Sequence, residues 1–96
     1  MLFIAFFEWC PGDGTKAIEK TKQMTEERKK GPERFPKLVY GPYNFNNGET
    51  KCFAVYETDD PDKLANYAIF YGPEVTVKYI PLIDTRKASE LYLKMK

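Results

Sequence analysis

The stretch from Lys51 to Asp84 (KCFAVYETDDPDKLANYAIFYGPEVTVKYIPLID) restricts the possible folds of this chain more than any other. It opens on an apolar, aromatic and β-branched run, and a helical segment then begins at Asp60 and Pro61 and stops at Gly72-Pro73. Aspartate accepts hydrogen bonds from the free N–H groups of a first turn, proline lacks an N–H where none is needed, and Gly-Pro cannot continue a helix. A second alternating run, Glu74 to Ile83, follows. The pattern predicts a strand, a crossover helix and a strand.

From the start of the chain, Leu2, Ile4 and Phe6 alternate with Phe3, Ala5, Phe7 and Trp9, so Leu2 to Trp9 is apolar on both sides. A strand with one wet face alternates apolar with polar, so this one is expected to be central and covered on both faces. Cys10-Pro-Gly-Asp-Gly ends it, and Asp13 or Thr15 is placed to cap a helix over Thr15 to Lys30. That helix is largely polar. Its expected inner stripe is Ala17, Ile18, Thr21, Met24, Thr25 and the stem of Arg28, with Lys22–Glu26 and Glu26–Lys30 as outer ion pairs. Gly31-Pro32 stops it.

Lys37 to Tyr43 reads as a second strand, and its internal Gly41-Pro42 assigns it to an edge or a bulge, since proline donates nothing to a ladder. Asn44 to Gly48 signals a hairpin into a third strand, Glu49 to Glu57. Leu64, Ala65, Ala68 and Tyr71 make the expected inner stripe of the second helix. After the fourth strand, Asp84 is placed to cap a last short helix, with Ala88, Leu91, Tyr92 and Met95 on one side.

The order is βαββαβ plus a terminal helix, an α+β domain spanning 1–96 with its core at 2–84 and its last helix at 84–96. Two interleaved crossover units predict a four-stranded antiparallel sheet, with the first and third strands adjacent, central and parallel to each other, and both helices on one face. Parity then assigns Leu2, Ile4, Phe6, Glu8, Phe53, Val55, Glu57, Thr76, Lys78 and Ile80 to the open face, and Ala5 and Ala54 to positions under the helices. A second copy packed sheet to sheet is the simplest cover for that open face.

Composition narrows the function classes. A net charge of +1 speaks against a nucleic-acid partner. No apolar run approaches a membrane span, and MLFIAFFEW lacks the basic start of a secretory leader, so a cytoplasmic location without membrane association is expected. The absence of histidine removes Ser-His and Cys-His mechanisms and the commonest metal ligand, so no metal or cofactor is expected. With the first and third strands parallel, Cys10 and Cys52 would lie on the order of 15 Å or more apart at opposite strand ends, and are expected to be reduced.

Three stretches invite a chemical reading. Gly12-Asp-Gly14-Thr-Lys-Ala17 fits GxGxxA between a strand and a helix, but the doubly wound sheet that carries dinucleotide sites is missing and Asp13 has the wrong charge for a pyrophosphate. Lys51-Cys-Phe53-Ala54-Val55-Tyr56 partly echoes the RNA-recognition motif, with Cys52 and Val55 in place of a glycine and a stacking aromatic. Glu8 and Glu57, placed at one end of parallel strands with Lys78 nearby, are catalytic candidates, because paired carboxylates in a closed cavity split their pKa values. Sheet-end charges paired with one another are the plainer reading. Phe6, Tyr40, Phe53, Val55 and Ile80 are the candidate ligand-binding residues.

Gly41-Pro-Tyr43, Glu57-Thr-Asp-Asp-Pro61 and Pro81-Leu-Ile-Asp84, set in this order of elements, resemble the dimeric α+β-barrel proteins, which are ferredoxin-like chains. More narrowly, they resemble a small prokaryotic family known only as a domain of unknown function. The resemblance implies a homodimer with a cavity between sheet and helices, or between sheets, for small and often aromatic molecules. It carries over no catalytic residue, and the lack of histidine departs from the haem-degrading and histidine-dependent members. Four readings follow: a module that binds or senses a small apolar or aromatic molecule; a cofactor-independent enzyme, monooxygenase- or isomerase-like; a structural dimer; and an RNA-recognition-like module.

Overall fold

In the computed structural model, which describes residues 1–96, the doubly apolar strand β1 (Leu2–Trp9) is central. It pairs on one side with β3 (Lys51–Glu57) and on the other with β4 (Val75–Leu82), and β2 (Lys37–Asn44) lies outside β3. The order β2-β3-β1-β4 and the two helices α1 (Gly14–Lys30) and α2 (Pro61–Tyr71) give the expected ferredoxin-like α+β architecture. The third helix, α3 (Thr85–Lys94), follows β4.

One expectation fails. β1 and β3 are adjacent and central but antiparallel, with Leu2 opposite Glu57 and Glu8 opposite Lys51. The reason is topological: a crossover leaves β1 and β2 running the same way, and the hairpin after β2 reverses the chain, so β3 must oppose β1. Face assignments survive, because residues directly opposite each other share a face whichever way the strands run.

On the covered face Ala5 stands opposite Ala54, and both are fully buried. Their small side chains let the helices approach, and a ring of larger residues closes the core: Phe7, Tyr56, Tyr67, Tyr71, Phe35, Met24 and Val75. α2 contributes Tyr67 and Tyr71 as its buried residues, so the stripe expected from Leu64, Ala65 and Ala68 is displaced toward the tyrosines. Leu64 and Ala68 are only half-buried and Ala65 is exposed. α1 buries only Ala17 and Met24, while Ile18 remains 59% exposed. Thr21 and Thr25 turn their hydroxyls back onto the carbonyls of Ala17 and Thr21.

The outer ion pairs also differ from expectation. Glu26 pairs with Lys29 at 3.6 Å, one residue closer in sequence than either predicted pairing, and Glu27 reaches Arg34 beyond the helix at 2.9 Å. Lys20 ties α1 to the end of α2, donating to the Phe70 carbonyl at 2.9 Å and pairing with Glu74 at 3.6 Å.

β2 is an edge strand with two register shifts, between Leu38 and Tyr40 and between Tyr40 and Tyr43. Gly41 sits between them at φ +90°, where a Cβ would come within 3.1 Å of the Phe53 carbonyl oxygen, so only glycine fits without strain. α3 is capped by Asp84, which accepts from the N–H groups of Arg86 (2.9 Å) and Lys87 (3.4 Å), yet it buries none of its residues. No helix is long and apolar enough to cross a membrane.

Candidate functional site

The space left between α1 and β2 follows from these local choices. α1 offers the small side chains Ala17 and Thr21 where a larger residue would have filled the gap, and the bulge of β2 places Pro42 and Asn44 as the opposite wall. The result is a cleft with an inner recess of about 100 Å³ and an outer groove of about 310 Å³, which share Thr21, Pro42, Tyr56, Tyr67 and Tyr71. Phe7, Trp9, Cys52 and Val75 line the inner end, and Met24, Arg28 and Leu38 the outer one.

The floor is a cluster of tyrosines. The hydroxyls of Tyr56 and Tyr67 hydrogen-bond to each other, and their ring centroids are 4.9 Å apart. Tyr71 packs on Tyr67 at 5.1 Å and on Phe7 at 5.4 Å. Burial pushes the phenols of Tyr56, Tyr67 and Tyr71 well above their ordinary value. Tyr79, whose hydroxyl donates to the Leu64 carbonyl at 3.0 Å, is pushed up by burial as well. The Cys52 thiol is pushed up to about 11, again by burial. At neutral pH the cleft therefore holds neutral hydroxyls and a neutral thiol, hydrogen-bonding groups rather than an ionised base or nucleophile.

Arg28 closes the outer end. Its guanidinium lies 5.7 Å from the Tyr56 ring centre and 5.5 Å from that of Tyr67, and one Nη donates to the Pro36 carbonyl. No carboxylate lines either part of the cleft.

The open face carries the residues singled out from the sequence. Glu8 stands opposite Lys51, and Glu57 stands between Leu2 and Lys37, so the two carboxylates lie six residues of strand apart, about 20 Å, and share no site. Lys78 stands opposite Phe6. The antiparallel β1–β3 pair, which sets the carboxylates apart, also brings Cys10 and Cys52 to the same strand end, with Cys52 opposite Phe7, and both thiols are free.

Phe6, Tyr40, Phe53, Val55 and Ile80 do gather on the open face. Tyr40, Tyr43, Phe53 and Phe45 form a chain of rings with centroids 5.1 to 6.4 Å apart, and Phe6 stacks on Phe45 at 6.4 Å. In the single chain this is a surface, with Tyr40 54% exposed, rather than an enclosed pocket.

The resemblance implied a cavity between sheet and helices or between sheets, but the residues that line this cleft were not picked out from the sequence, although two signals for them were present. Tyr67 and Tyr71 are four residues apart on one helix, and Tyr56 shares the parity of Ala54 and so must point under the helices. No group of carboxylate or thiol side chains converges in a way that could hold a metal ion.

Compared with known proteins, the whole chain, residues 1–96, matches a family described as "Domain of unknown function (DUF3303)". No curated protein matches the chain.

Proposed function

The chain belongs to the DUF3303 family, and we propose that it is a homodimer, joined through its open sheet face, that binds a small apolar or aromatic molecule in the cleft between α1 and β2. The observation that carries the binding reading is the tyrosine floor: buried hydroxyls lie beside a partly enclosed apolar recess instead of a filled core. Binding sites are typically of this composition, mostly apolar walls with a few polar groups that fix orientation. Neutral phenols and a neutral thiol favour binding over cofactor-independent catalysis, which would need an ionised base in the same place.

The dimer reading is supported by the exposed apolar residues of the open face and by its charges of both signs, Glu8 and Glu57 with Lys37, Lys51 and Lys78, which a two-fold axis can set against one another. Four strands of up to eight residues present roughly 500 Å² of face, less than the ~800 Å² per partner of a typical stable interface. The exposed Leu91, Leu93 and Met95 of the terminal helix region offer the remainder.

Both parts are testable. Sedimentation of the native chain is expected to give twice its 11.2 kDa mass, and Phe53→Arg to give the monomer; a native monomer at tens of micromolar defeats the dimer. Trp9 is the only tryptophan and lines the recess, so its emission reports occupancy. Titration with benzyl alcohol is expected to change that emission saturably, and Thr21→Phe, which fills the recess, to abolish the change.

A further inference from the structure

We propose that the ligand of this cleft is a planar aromatic acid, held with its ring in the recess and its carboxylate at Arg28. The inference rests on the binding reading above and adds the chemical class of the ligand. It follows from the distribution of charge along the cleft. Fully charged side chains enter the lining only at its outer end, and both of them, Arg28 and Lys29, are cationic. Lys29 is largely exposed and already shared with Glu26. Arg28 is half-buried and pairs with no carboxylate within 4 Å.

Carboxylates do occur on the other side of Arg28, in a separate open depression lined by Glu57 and Asp59. Asp59 is taken by the amino terminus at 2.7 Å, and Glu57 faces Lys37 across the β2–β3 pair. A guanidinium presents five N–H donors in a fixed fork, and only one contact, to the Pro36 carbonyl, is made within the protein. The remaining donors match a carboxylate in two parallel bonds, and a half-buried position strengthens such a pair relative to water. The cation–π approach of the guanidinium to the rings of Tyr56 and Tyr67 keeps it beside the cleft.

The inner end sets the other half of the selectivity. Phe7, Trp9, Val75 and the face of Tyr71 offer apolar contact and no charge, so a flat ring fits there and an aliphatic polyol or a phosphate ester does not. The distance from recess to Arg28 is bridged by the tyrosine hydroxyls, which as neutral phenols can donate to a carboxylate or a ring oxygen.

The experiment compares isosteric pairs, benzoate with benzamide and 2-naphthoate with 2-naphthamide, by Trp9 emission and calorimetry at pH 7. The acid of each pair is expected to bind about tenfold or more tightly than its amide. Raising the salt from low to high should weaken the acid alone. Arg28→Gln should weaken the acid about tenfold or more and the amide far less, so that the preference disappears, and Arg28→Lys should keep part of it. Equal affinities of acid and amide in the native protein overturn the inference while leaving the cleft as a binding site, and that comparison needs no variant to fold. Equal losses for acid and amide in Arg28→Gln also overturn it, because Arg28 would then act only as packing. If neither member of any pair binds, the cleft reading fails and this inference falls with it.

Discussion

The two faces of the sheet both carry apolar rows in sequence and are opposite in structure. One presents Ala5, Phe7, Ala54, Tyr56 and Val75 to the helices and is buried; on the other, Ile4, Phe6, Phe53 and Val55 are half-buried and Leu2 and Ile80 exposed in the single chain. The apolar rows alone do not separate them, but the small residues at the centre of one and the charges around the other do. Alanines opposed across the central pair mark the side where helix backbone must come close, and large side chains flanked by Glu8, Glu57 and Lys78 mark the side without such a demand. The open face is thus the one that lacks intramolecular cover, and an apolar patch rimmed by charged residues is a common mark of an interaction site.

The strongest test of this asymmetry uses two neighbours in β1. Phe7 is buried against Tyr56, Tyr67 and Tyr71, whereas Phe6 on the opposite side is half-buried. Phe7→Ala is expected to cost about 3–5 kcal/mol, a large part of the roughly 5–15 kcal/mol that holds a domain of this size. Phe6→Ala should cost about 1 kcal/mol or less in dilute solution, from apolar area alone, and more as protein concentration rises. Urea unfolding of both variants at two protein concentrations reads these differences. Equal losses that are independent of concentration would mean that the open face is no interface.

A smaller effect comes from inside the covered face. Tyr56→Phe removes one hydroxyl and leaves that of Tyr67 buried without its partner, at a cost of about 1–3 kcal/mol. The same substitution changes the alkaline limb. An unfolded tyrosine titrates at its ordinary value of 10.0 and an unfolded cysteine at 9.0, while in the fold the phenols of Tyr56, Tyr67, Tyr71 and Tyr79 and the Cys52 thiol are all raised. A raised folded value means that the fold holds protons which the unfolded chain releases. Stability is therefore intact below about pH 9 and declines as pH rises beyond it, by about 1.4 kcal/mol per pH unit for each group fully engaged. Tyr56→Phe should make that decline shallower, as urea midpoints at pH 8, 10 and 11 would show. An unchanged slope would place Tyr56 in contact with solvent.

Much of this fold can be read from local signals with one physical meaning each. Pro61 after Asp60, Gly72-Pro73 and Asp84 set helix boundaries to within a residue, and strict alternation in β1 and β3 assigns every side chain to its face. What escaped were relations between elements. The direction of β3 against β1 depends on following the chain through the hairpin, and an error there joined Glu8 to Glu57 and separated Cys10 from Cys52. The cleft escaped for a different reason: it is made of what is missing, small residues on α1 beside a bulge in β2, and no single residue type announces a gap. Arg28 illustrates both limits, since helical spacing places it on the inner stripe but does not say that its charge has no carboxylate partner there.

The smallest expected effect probes the segment that belongs to neither face. Asp84 accepts two N–H groups at the start of α3, a contact worth about 1 kcal/mol to a helix whose other stabilisation is slight. A ten-residue helix without tertiary contacts is marginal in water, yet α3 leaves Leu91 and Leu93 exposed, as is Met95 just beyond its end. If α3 rests on nothing, Asp84→Ala should lower the helical signal by circular dichroism slightly and leave both the urea midpoint and the sedimentation mass unchanged. If α3 completes the interface proposed for the open face, the same substitution should weaken dimerisation by a few fold at unchanged monomer stability, because the cost of ordering the helix then falls on association. The second outcome is expected, since the sheet face alone presents less area than a stable interface needs.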